Sequence, residues 1–209
     1  MPPETATAVP ATQPSRQDRR RERTRAQLLR AAKHLLASKG FHGTKIADIA
    51  AAADVGTGTF YLYFPTKEAL FADLMRETAL RAREEIERAQ APCTDPREKA
   101  RVATETFFRF AHANRDLFRI LFGHSAQFDT LVRDLHRLFI ADSEENHRRG
   151  VAAGVFAPLR PAIVAQAVVG MLSQVVSWWL EHQDIPIEEI ISTTQRLLME
   201  GTAVKENPS

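Results

Sequence analysis

Glu144 and His147 stand three residues apart, a spacing that turns a carboxylate and an imidazole to one side of a helix. Helical bundles hold two metal ions with duplicated Glu-x-x-His units of this kind. The chain has one such unit and no second copy, so a solvated helix face is the better account. Gly56 and Gly58 open like a phosphate-binding glycine loop, but Tyr61 stands where the third glycine is needed and no strand-forming run precedes them. His112, His124, His136 and His182 are scattered singly, with no Ser or Cys nucleophile at a telling spacing. Triads assemble from distant positions, yet nothing here argues for one. Cys93 is the single cysteine, which excludes an internal disulfide and a cysteine-based zinc site and fits a reducing compartment. No catalytic residue, metal or cofactor is therefore expected, and the chemistry left is recognition.

The residues best placed for it lie between Thr44 and Lys67, in the stretch TKIADIAAAADVGTGTFYLYFPTK. Thr57, Thr59, Tyr61 and Tyr63 share a short helical pattern whose buried side is Phe60 and Phe64. A helix start rich in hydroxyls suits phosphates, because unpaired amides and the helix dipole favour anions there. Threonine also meets base edges, including the thymine methyl. Tyr61 and Tyr63 have a second reading, as ordinary half-buried aromatics.

Three elements must position that helix. From about Arg19, Leu28, Leu29, Ala32, Leu35, Leu36 and Phe41 recur at helical spacing, and Gly40 follows Lys39 where a left-handed C-terminal residue is wanted. Thr44 is expected to cap a second helix of about two turns whose buried side is Ile46, Ile49, Ala50 and Ala53. Asp54-Val55-Gly56 supplies the turn, with Val55 as the apolar plug. A helix-turn-helix of this form lays its second helix in the DNA major groove. Thr66 caps a long fourth helix that runs to about Ala91. Beyond Pro96 helical patterns cover about 96–113, 115–123, 126–153, 160–182 and 186–202. The expected fold is all-α, with about nine helices and no strand. The expected domains are an arm over 1–18, disordered but basic at its end, a DNA-binding domain over 19–66, and a ligand-binding and dimerisation domain over 67–209.

Charge follows this division. Up to Lys67 there are 11 Lys and Arg against 5 acids, and beyond it 17 against 21. A basic first third fits a phosphate-facing end, although charge runs are also ordinary solvated faces. Arg16, Arg19, Arg20, Arg21, Arg23 and Arg25 carry the same ambiguity: they can touch phosphates or a minor groove, or simply start a solvated helix. No apolar run follows the N-terminal charges, so no signal peptide is expected and the reading is cytoplasmic.

Two further sites lie in the last two thirds. Phe107, Phe108, Phe110, Phe118 and Phe122 either fill a core or wall an apolar ligand pocket. The pocket reading adds Arg109, His112 and Gln174 as polar groups, with Met171 and Trp178. Residues 162–180 approach membrane-spanning length, but Gln166, Ser173, Gln174 and Ser177 interrupt them, so no membrane is expected. Val168, Leu172, Val175 and Trp179, with Ile190, Ile191, Leu197 and Leu198 of the last helix, are expected to pair with their symmetry mates in a four-helix dimer interface.

Residues 24–75 carry a specific resemblance. TRAQLLRAA, GFHGTKIADIA and VGTGTFYLYFPTKEALF are similar, nearly position for position, to the DNA-binding pattern of the TetR family of transcriptional regulators. The rest resembles that family in helix number, length and order. The resemblance implies a homodimer joined by its last two helices, an effector pocket in the C-terminal domain, and release of a palindromic operator when a small apolar effector binds. Lipids and acyl thioesters are the candidate classes. It also implies that Thr44, Lys45, Thr57, Thr59, Tyr61, Tyr63 and Lys67 face double-stranded DNA, with Thr44, Tyr63 and Lys67 mainly on phosphates. The chain departs from the pattern at Asp54, where glycine is common, at Gly56, where a capping serine is common, and at Thr57, often basic. Rival readings are an effector-independent or activating regulator and a helical-bundle enzyme.

Overall fold

The computed structural model describes residues 15–123 and 125–202. Most of the expected arm, His124 and the residues beyond 202 lie outside them. Among the described residues there are nine helices and no strand: α1 (Arg16–Gly43), α2 (Ile46–Ala52), α3 (Thr57–Tyr63), α4 (Lys67–Gln90), α5 (Pro96–Ala113), α6 (Arg115–Gly123), α7 (Ser125–Ala152), α8 (Pro161–Trp179) and α9 (Ile187–Thr202). The all-α expectation and the helix order both hold.

The boundaries follow from local chemistry. Ser15 and Asp18 form a reciprocal capping box, so α1 begins three residues earlier than its apolar pattern predicts. Residues 16–18, expected in the arm, are helical. At Gly40 the backbone turns left-handed (φ 69°) and the helix kinks before a last turn to Gly43. Asp54 occupies the left-handed region (φ 56°) that a short polar side chain tolerates, which lets the α2–α3 turn close without glycine. Thr66 accepts from the amide of Ala69 to cap α4, and Asp95 with Pro96 starts α5.

Thr44 does not cap α2. Its side chain is buried, and its hydroxyl donates to the carbonyl of Gly40 (2.7 Å) at the kink, with the carbonyl of Leu35 3.2 Å away. Lys45 is the residue before α2 and makes no side-chain cap.

Two cores organise the molecule. The first gathers Leu28, Leu36, Ile49, Phe60, Phe64 and Phe71 from α1–α4 and continues into Leu117 and Leu121 of α6 and Phe128, Leu131 and Leu135 of α7. Phe128 meets Phe71 (4.8 Å between centroids) and Phe41 (5.4 Å). The first three helices thus share one apolar interior with α6 and α7. Arg25 on α1 also forks to Asp73 (2.8 Å) and Glu77 (2.6 Å) on α4, and Lys33 reaches Asn114 at the α5–α6 junction (3.1 Å). The second core holds Phe108, Phe110, Val176, Trp179, Ile190 and Ile191, where α5, α8 and α9 meet.

Candidate DNA interface and ligand cavity

Short as it is, α3 is fixed on one side by Phe60 and Phe64, both buried. That leaves Thr57, Gly58, Tyr61 and Leu62 exposed, with Thr59 and Tyr63 half-buried. Gly56 precedes the helix without a side-chain cap, so the first amides of α3 have no such partner. Lys45 is exposed next to this surface in sequence, one residue before α2. Tyr63 packs on the first core. Leu62 was not read as a surface residue, yet it is 75% exposed. The signal was present: with Phe60 and Phe64 inward, position 62 must point away, and an exposed leucine there can meet thymine methyls.

Lys67 corrects a sequence expectation. The family resemblance implies a side chain turned out toward a phosphate. Instead its ammonium donates to the carbonyls of Phe41 (2.6 Å) and Thr44 (2.9 Å) and lies 4.4 Å from the centroid of the Phe41 ring. It closes the C-terminal end of α1 against the start of α4. Thr44 and Lys67 therefore shape the reader from inside, with Lys67 half-buried.

The second site is a cavity of about 380 Å³ between α4, α5, α6, α7 and α8, reached also by Leu198 and Met199 of α9. Phe107, Phe118 and Phe122 line it, as the pocket reading expected. Phe108 and Phe110 do not; they fill the second core. Arg109 and His112 are exposed, Arg109 pairing with Glu105 and His112 lying against Trp179. Met171, Gln174 and Trp178 are absent from the cavity wall, and Gln174 and Trp178 are exposed.

Conversely, Val168, Leu172 and Leu198, expected at a dimer interface, line the cavity. Trp179, Ile190 and Ile191 are buried inside the chain, Trp179 donating its indole N–H to the carbonyl of Ile185 (2.9 Å), and Val175 packs on the same core. Of that set Leu197 alone is exposed, at 60%. The outward face of α8 is instead Ile163 (65% exposed), Ala167, Gln174 and Trp178 (44%), spaced at helical intervals with half-buried Met171 among them. By length and composition α8 could cross a membrane, but here it packs on α7 with this one face bare.

The cavity is polarised along its length. At one end Met75 and Ala79 of α4 face Leu121, Phe122, Val132 and Leu135. At the other, Arg83, Glu87 and Gln90 of α4 meet Lys99 of α5 and Asn146 and Arg149 of α7. From Met75 to Gln90 the α4 wall is about 22 Å long at the helical rise. The polar end is tied together: Arg83 chelates Asp142 (2.5 and 2.9 Å), Gln90 donates to the carbonyl of Lys99 (2.9 Å), and Arg149 pairs with Glu145 (2.7 Å). Lys99 forms no ion pair among the described residues.

His136 and His147 lie on the α7 wall. His147, expected on a solvated face, is buried and stacks on Phe156 (5.4 Å, 8°). The Nε2 atoms of both rings are buried without a hydrogen-bond partner. Burial lowers the pKa of each imidazole; for His147 the nearby carbonyls of Leu159 and Ala157 act in the opposite sense. Because the folded values lie below the ordinary imidazole value of about 6.5, the unfolded chain binds more protons between the two. Stability is therefore full above that value, falls as pH drops through the interval and levels off below it. Thermal melts from about pH 7.5 to about pH 5.5 should show a falling midpoint, flattened in His136→Phe/His147→Phe. An unchanged slope in the double variant would contradict this.

A reader helix braced by a core that it shares with a hollow helical bundle defines a DNA-binding regulator that carries its own ligand domain. The profile for bacterial regulatory proteins of the tetR family matches residues 28–74, and that for the tetracyclin repressor-like C-terminal domain matches residues 93–202. A relative in Bacillus subtilis (strain 168), the uncharacterized HTH-type transcriptional regulator YdgC, is 29% identical over 161 residues, covering 75% of this chain and 81% of its own. Two solved structures share the fold. The fatty acid degradation regulator FadR from Bacillus halodurans has a TM-score of 0.74 at 24% identity, covering 84% of this chain and 94% of that one. FadR from Bacillus subtilis, in complex with stearoyl-CoA, has 0.73 at 20%, covering 84% and 98%. The chain belongs to the TetR family of transcriptional regulators.

Proposed function

We propose that this protein is a cytoplasmic, non-enzymatic repressor that binds a palindromic operator as a homodimer and leaves it when a long-chain acyl thioester fills the cavity. The carrying observation is the polarised cavity: apolar walls run to the core shared with the reader, and polar, ion-paired side chains line the far end. An apolar chain suits the first part and a charged head group the second, where Lys99 has no carboxylate partner among the described residues. The fatty acid regulators among its structural neighbours, one solved with stearoyl-CoA, support the same class of effector.

In this reading Lys45, Thr57, Thr59 and Tyr61 contact DNA, Leu62 adds an apolar contact, Tyr63 and Lys67 chiefly hold the reader in shape at the edge of the phosphate-facing surface, and the buried Thr44 acts from inside only. The bare face of α8 with Leu197 of α9 meets its symmetry mate, which sets two recognition helices about 34–36 Å apart on successive major grooves. An effector can only shift this balance by preferring the spacing that does not fit DNA, typically with a coupling of about 1–3 kcal/mol.

An electrophoretic shift on the promoter beside its own gene tests the reading. Specific retardation is expected, relieved by stearoyl-CoA and not by free coenzyme A. Failure to retard any neighbouring promoter, or retardation indifferent to every acyl chain length, would contradict it.

A further inference from the structure

The first two turns of α1 have no structural task inside the chain. Residues 15–23 are all exposed, and none belongs to either core. What holds them helical is local: the Ser15–Asp18 capping box at the start. A helix that is polar on every side and supported by nothing else is poorly explained by folding alone. Its positive charge is also in excess. Arg16, Arg19, Arg20, Arg21 and Arg23 form no ion pair among the described residues, and the acids nearby are Asp18, engaged with Ser15, and Glu22. Arg25, by contrast, is spent on Asp73 and Glu77.

The arm also starts at an informative place. The guanidinium of Arg25 lies 5.9 Å from the centroid of Phe64, the residue that ends the recognition helix. From there Arg16–Thr24 extend about 13 Å at the helical rise. The unpaired arginines therefore leave the reader beside the C-terminal end of α3, where the sugar-phosphate backbone flanking a major-groove half-site would run.

We infer that the Arg16–Arg23 segment is a second DNA-contact surface that neutralises phosphates outside the half-site read by α3, adding affinity without sequence choice. This rests on the proposed operator binding for its position, but its physical signature is separate. Each phosphate neutralised releases counterions and steepens the dependence of log K on log salt by about 0.9. Base readout does not.

The test replaces Arg16, Arg19, Arg20, Arg21 and Arg23 by glutamine, with an all-lysine version as control. Both sets are exposed and favourable to helix, so circular dichroism and thermal midpoint should be unchanged. Binding is measured by anisotropy against operator and random duplexes across a salt series. The glutamine variant should flatten the slope by at least about 2, from contacts on two arms, while the operator-to-random affinity ratio stays within twofold. The lysine variant should keep most of the slope. A glutamine variant with the wild-type slope on both duplexes overturns the inference, as does transfer of arm-dependent binding to anionic vesicles. Lack of operator preference in the wild-type protein would sink the repressor reading instead, and the random-duplex slope would still decide the arm.

Discussion

Ile163→Lys/Leu197→Lys is expected to give a folded monomer that has lost specific operator binding. Both side chains are mostly exposed in the single chain, at 65% and 60%, so their replacement removes little from its own cores. In a two-fold dimer each lysine would meet its copy or its neighbour across the interface. Burying like charges there, without partners, costs far more than lost apolar contact. One half-site alone keeps only part of the specific contacts, and specific binding exceeds non-specific binding by about 10³-fold or more, so operator affinity should approach that of a random duplex. Sedimentation and anisotropy measure the two halves of this result. A dimer of unchanged affinity would show that another face joins the protomers.

The second large effect is expected at Lys67. Lys67→Ala should lower stability by about 2–3 kcal/mol, because hydrogen bonds to a charged group are strong and two carbonyls, of Phe41 and Thr44, lose their donor. For a chain of this size that corresponds to a fall in melting midpoint of about 5–10 °C. The contact over the Phe41 ring is lost as well. Operator affinity should fall along with stability, since the α1–α4 junction positions the reader. Tyr61→Phe, at a 54%-exposed position, should instead weaken DNA binding while leaving the midpoint where it was. A Lys67→Ala protein as stable as wild type would restore the simpler view of Lys67 as a phosphate ligand only.

The contrast between these residues explains what the sequence could reveal. Asp54, Val55 and Gly56 have the chemistry of a tight turn, and Phe60 and Phe64 phase α3, so the two short helices and their buried side were legible, while the exposed Leu62 between those phenylalanines was overlooked. Thr66, Asp95-Pro96 and Pro161 mark helix starts by local capping rules, and the helix limits follow them closely. Thr44 obeyed a different partner: its hydroxyl serves the carbonyl of the left-handed Gly40, a consequence of a kink that periodicity does not carry. Lys67 was missed for the same reason, since its acceptors lie 23 and 26 residues away.

In α8 the limitation was phase. The helix is apolar almost all round, so its composition offered two faces without saying which was inside. Val168 and Leu172 went inward to the cavity, while Gln174 and Trp178 went outward, the reverse of expectation. In α5 the same ambiguity separated Phe107, in the cavity wall, from Phe108 in the second core, because adjacent helical residues are turned about 100° apart. The resulting cavity draws its walls from six helices at once, and no local pattern records a void.

The claim that ties the two sites together is that filling the cavity and gripping the operator oppose each other. Thermodynamic linkage makes this measurable in one quantity, since an effector that weakens operator binding must itself be weakened by the operator by the same factor. The decisive measurement is the affinity for stearoyl-CoA by calorimetry, taken with the free protein and again with protein saturated by operator duplex. The account predicts binding to each protomer that weakens by about 5- to 150-fold on the operator complex, matching the loss of operator affinity caused by the ligand. Equal affinity in the two states would contradict it.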